Sequence, residues 1–89
     1  MKMNNRTFPK CGEIWRHFKN KTYTIKGVAI CADNDDRRPT SDKCYVVYTS
    51  DETGLDYIRN LREFMSEVDR SKYLADLFPQ HYRFERLEV

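Results

Sequence analysis

Apolar residues recur along this chain at two periods, close to two through most of its length and close to 3.6 in one stretch. Residues 13–18, Glu-Ile-Trp-Arg-His-Phe, predict a first strand. A tight turn at Asn20 and Lys21 leads into residues 22–32, the longest β-type run, where Tyr23 and Ile25 alternate with Thr24 and Lys26. Beyond Gly27 both faces turn apolar, which predicts burial on two sides. A glycine within a strand marks a bulge or bend. Residues 43–49 predict a third strand, 50–54 a turn and 55–59 a fourth strand.

The period then changes. Leu61, Phe64, Met65 and Val68 stand at i, i+3, i+4 and i+7, one apolar stripe of a helix over 61–68. Asn60 is its expected cap, with Glu63 three residues on as a capping-box partner. Tyr73, Leu74, Leu77 and Phe78 carry helical spacing up to Pro79 and predict a second short helix. Residues 83–89 read as a closing strand. Residues 1–10 show no periodicity and are expected to form a flexible arm before a single domain over 11–89. Residues 33–42 read as a solvated hairpin loop. Its acidic start resembles a calcium loop, but no glycine stands sixth and Cys44 replaces the bidentate glutamate. The predicted fold class is mainly β: a small SH3-like antiparallel barrel of about five strands, with one or two short helices after the fourth.

Charge narrows the functional classes little. Sixteen Lys and Arg nearly cancel fourteen Asp and Glu, so a net charge of +2 does not by itself argue for nucleic acid. Any such case rests on where charges cluster. Three cysteines, Cys11, Cys31 and Cys44, have neither disulfide-framework nor metal-pair spacing. They are expected to be free thiols of a cytoplasmic protein, with Cys31 and Cys44 buried in apolar runs. No apolar run reaches membrane-spanning length or signal-peptide type, so no membrane partner is expected.

Several blocks together resemble a bacterial family known as domain of unknown function 1653. They are Gly12, Trp15-Arg16-His17-Phe18-Lys19-Asn20, Tyr23, Gly27-Val28-Ala29, Val46-Val47-Tyr48, Tyr57-Ile58-Arg59-Asn60-Leu61 and Arg83-Phe84. Their order is kept across residues 12–87. Asn20 stands where the family usually has glycine, a substitution that a left-handed turn tolerates. Asn60 stands where it usually has proline. The 33–42 and 70–82 segments are longer than the family pattern. The resemblance implies a small β-barrel and no established activity.

The residues that could carry chemistry are few. Strand alternation puts His17 and Lys19 on one face, and Arg16 and Phe18 on the other. His17 and Lys19, joined by Arg59, could meet a phosphate or carboxylate. Against this, His17 could be a structural histidine, and Arg59 could pair with Glu63, Glu67 or Asp69. Trp15, Tyr23, Tyr45, Tyr48 and Tyr57 could line a groove that stacks bases or binds a peptide, or could simply fill the core. No nucleophile elbow, phosphate loop or zinc motif is present. A His17 thiol–imidazole pair with Cys31 or Cys44 is the one catalytic option. The expectation is therefore a non-enzymatic binding module without metal or cofactor. Its ligand-binding residues are Trp15, His17, Lys19, Tyr48, Tyr57 and Arg59, its ligand a nucleotide or nucleic acid. The alternative is a protein-interaction module using the aromatic groove or the 33–42 loop.

Overall fold

The computed structural model describes residues 2–3, 6–31 and 43–88. Their strands are β1 (Lys2–Met3), β2 (Arg6–Thr7), β3 (Ile14–His17), β4 (Lys21–Ile30), β5 (Cys44–Ser50), β6 (Asp56–Asn60) and β7 (Phe84–Leu87), and α1 (Leu61–Phe64) lies between β6 and β7. The first two form a small ribbon. The other five make one antiparallel sheet in the order β6-β5-β4-β3-β7. All five predicted strands are present within one or two residues at the described ends. The architecture is thus mainly β, an open five-stranded sheet with one short helix. Among the described residues, edge strands β6 and β7 do not pair with each other.

Local chemistry explains the joints. Asn20 occupies the left-handed region at φ 68° and donates its N–H to His17 O at 2.8 Å, closing the β3–β4 turn. Ser50 Oγ accepts from the N–H groups of Glu52 and Thr53, and Gly54 at φ 75° completes the β5–β6 turn. The ladder slips between Ile25 and Gly27, so the expected bulge falls where the glycine stands. Asn60 Oδ1 caps α1 by accepting from the N–H groups of Arg62 and Glu63. Its φ of −53° is one a proline also adopts, which accounts for both residue types at this position.

Strand β5 alternates strictly, with Cys44, Val46, Tyr48 and Ser50 facing inward. The first three meet Trp15, Ile25 and Phe84 from the sheet, and Leu61, Phe64 and Met65 from above it. Phe64 stacks on Phe84 with ring centroids 4.0 Å apart and planes 8° from parallel. All four residues of the predicted helical stripe are buried.

Four expectations are corrected. The helix spans only Leu61–Phe64, because the chain then pairs with the segment before β7: Val68 N–H donates to His81 O at 2.9 Å and Arg83 N–H to Ser66 O at 2.8 Å. The second helix is absent. Residues 69–78 instead make two separate turns, Tyr73 N–H to Asp69 O and Phe78 N–H to Leu74 O. Beyond the bulge, Val28, Ala29 and Ile30 are exposed rather than buried on two sides. There, among the described residues, β4 pairs only with β5, since β3 pairs no further than Thr24. Cys31 is exposed for the same reason. Before residue 11, two of the described side chains contact the domain. Arg6 donates to Met65 O at 3.1 Å and to Phe84 O, its guanidinium lies 3.8 Å over the Tyr82 ring, and Phe8 packs on the core. The expected 33–42 loop lies outside the described residues.

Candidate functional site

Antiparallel register carries one face across the sheet. His17 opposes Lys21, two residues before Tyr23. Tyr23 opposes Ser50, two residues after Tyr48. Tyr48 opposes Tyr57, and Val46 opposes Arg59. His17, Tyr23, Tyr48, Tyr57 and Arg59 therefore share a face, though they come from four strands. Their rings form a connected set. His17 and Tyr23 centroids are 6.5 Å apart, Tyr23 and Tyr48 5.2 Å, Tyr23 and Tyr57 6.0 Å, and Tyr48 and Tyr57 5.9 Å in a stacked pair. Tyr48 is buried, whereas Tyr57 remains 42% exposed at the sheet edge.

The half-buried His17 ring lies 4.4 Å from Phe18 and 4.9 Å from Phe84. Its Nδ1 accepts the Lys19 backbone N–H at 3.1 Å. The neutral ring then carries its hydrogen on Nε2, a donor. Burial first, then the positive charges of Arg59, Arg83 and Lys19, push the His17 pKa down to about 4. The imidazole is uncharged at neutral pH and surrounded by cations.

Arg59 Nε donates to Tyr48 Oη at 3.3 Å, and Arg59 Nη1 lies 3.8 Å from Glu63 Oε2 across one helical turn. The expected carboxylate partner is thus present, but at a separation that leaves the pair loose, and Glu63 is mostly solvated. Lys19 is exposed in the β3–β4 turn, its ammonium 5.3 Å from the Tyr73 ring centroid. Trp15 shares this face, opposite Tyr23, but lies beneath the helix. It is 2% exposed, packs 5.4 Å from Phe64, and donates Nε1–H to Glu13. Such a ring belongs to the core and offers no contact surface, because the helix covers it. Tyr45 lies on the opposite face, opposite Ala29 and Asn60.

Sequence reasoning did not select Arg83. It precedes β7, its Nε donates to Ser66 Oγ at 3.4 Å, and its backbone carbonyl accepts the Phe18 N–H at 2.9 Å. The available signal was the Arg83-Phe84 block. The thiol–imidazole option is not assembled. His17 opposes Lys21, whereas Cys44 opposes Ile30 and Cys31 follows it, roughly 30 Å of extended strand away. Among the described residues no group of three or more His, Cys, Asp or Glu gathers as metal ligands. His81 instead meets Glu67 at 2.6 Å on the surface. No helix among the described residues is long and apolar enough to cross a membrane.

The fold and this face define a small antiparallel β protein with donors and aromatic rings gathered at one end of its sheet. The chain belongs to the family described as protein of unknown function DUF1653, whose model matches residues 13–86. No curated protein and no solved structure matches it.

Proposed function

We propose that this protein is a small non-enzymatic binding module for an anionic ligand, a nucleotide or nucleic acid. We read its open, bulged sheet as an SH3-like barrel. The observation that carries the proposal is the composition of the His17 face. Cations from strand β6, the β3–β4 turn and the segment before β7 adjoin one neutral imidazole, with partly exposed Tyr57 on the same face. Such a set matches phosphate oxygens and a flat base together. In this reading His17 Nε2–H, Lys19, Arg59 and Arg83 hold the anion, Tyr57 stacks, and Tyr48 fixes Arg59. The three unpaired thiols suit the reducing bacterial cytoplasm.

The test is a titration with nucleotides and short oligonucleotides at low salt. Binding should weaken steeply as salt rises, through counterion release. Arg59→Ala should lose about ten- to a hundredfold in affinity, the worth of a charge-assisted contact, with the melting transition nearly unchanged. Lys19→Ala, at an exposed turn position, should also weaken binding while preserving the fold. A wild-type protein that binds no polyanion at low salt overturns the proposal.

A further inference from the structure

Residues 69–80 are held in shape by polar contacts, and that leaves apolar groups outside. Arg70 donates to the backbone carbonyls of Tyr73, Phe78 and Gln80, and Asp69 accepts from Ser71 N–H and Oγ–H. Tyr73 and Phe78 turn inward onto Phe18, with centroids 4.8 and 5.6 Å from its ring. Leu74 and Leu77 are left outside, 64% and 73% exposed. A segment with this many backbone restraints is a preformed surface, and two leucines on it form an apolar rim.

Beside that rim lies a cavity of about 420 Å³ lined by Arg16, Phe18, Asn20, Leu77, Pro79 and Gln80. Its volume falls in the range of ligand-sized clefts. It is distinct from the His17 face, because Arg16 and His17 are successive residues of β3 and point to opposite sides of the sheet. Gln80 fixes the polar corner: its Oε1 accepts from Arg16 Nε at 2.9 Å, and its Nε2 donates to Arg16 O at 2.8 Å and Tyr82 O at 2.9 Å. Among the described residues the guanidinium is thereby oriented through Nε. Among the described residues no carboxylate lies within ion-pair distance of Arg16.

We propose that this cavity docks a peptide segment presenting a large apolar side chain beside a carboxylate. The side chain enters between Phe18, Leu77 and Pro79, and the carboxylate meets the terminal nitrogens of Arg16. Charge complementarity selects this occupant. One oriented guanidinium matches one planar carboxylate in a two-point contact. Among the lining residues Arg16 is the one cation, and the Phe18 ring is buried beneath the aliphatic rim, so the cleft suits one carboxylate better than a polyanion. The inference stands independently of the anion reading, on other residues and the other face.

The test uses the ¹⁵N-labelled protein titrated with N-acetyl-phenylalanine and with its uncharged amide. The acid should shift the backbone signals of Arg16, Asn20, Leu77 and Gln80, leave Tyr57 unmoved, and bind at least about tenfold more tightly than the amide. Arg16→Gln should reduce the acid to the level of the amide. Leu77→Ser, at an exposed position that the fold does not need, should weaken both. Four results overturn the proposal: no shift at these residues, equal binding of acid and amide, or inorganic phosphate acting as strongly as the acid. The fourth is concentration-dependent dimerisation abolished by Leu77→Ser, which assigns the surface to a second copy of this chain.

Discussion

Acidification tests the His17 environment directly. The folded protein holds this imidazole at about 4, against 6.5 in the unfolded chain. Between those values the unfolded state binds the proton more readily, so stability rises with pH across this window. It is fully present above pH 6.5 and is lost progressively as pH falls to 4. Because the ring is only half-buried and solvent screens its neighbours, the stability at stake is on the order of 1–2 kcal/mol, most of it lost by pH 5. A chain of 89 residues has only roughly 4–13 kcal/mol to lose. The carboxylates of Glu52, Asp56 and Asp69 are held below their ordinary values by hydrogen bonds, so their contributions are lost at lower pH. The assay is urea unfolding followed by the fluorescence of buried Trp15, at pH 7 and pH 5. His17→Asn supplies a neutral acceptor for the Lys19 N–H and costs ring contacts equally at both pH values. It should flatten the difference between them. A wild-type protein equally stable at pH 7 and pH 5, or a His17→Asn variant that keeps the full difference, refutes the reasoning.

Phe64→Ala removes a fully buried ring stacked on Phe84, and should cost about 3–5 kcal/mol, read as a collapse of the urea midpoint. A loss below about 1 kcal/mol would mean that the helix does not lid the sheet. The cysteines should divide by accessibility: a thiol reagent should label exposed Cys11 and Cys31 in the native protein, and buried Cys44 only after denaturation. Intact mass without reductant should show no loss of hydrogen from a disulfide.

The sequence alone determined what depends on neighbours in the chain. The five strands followed from their period of two, and the bulge from Gly27. The left-handed turn followed from Asn20, the helix start from Asn60, and the buried stripe from the spacing of Leu61, Phe64, Met65 and Val68. Dihedral preference, capping and face alternation act within a few residues, so a sequence displays them directly. Of the candidate site, His17, Tyr48, Tyr57 and Arg59 could be chosen for their residue types, and antiparallel register then brought them to one face.

Only the tertiary structure decided the rest, because each remaining feature joins residues far apart in sequence. Helix α1 stops at Phe64 because residues 66–68 pair with 81–83, which outcompetes further helical turns. The same pairing carries Arg83 to His17, and β7 reaches β3 with Phe84 opposite the histidine. Trp15 is indistinguishable by type from a stacking residue, and only the helix above it makes it core. The helical spacing of Tyr73, Leu74, Leu77 and Phe78 was real but was overridden. Arg70 binds the Tyr73 carbonyl that a helix would have used, and Phe18 takes the two aromatic rings, so the leucines are left in solvent.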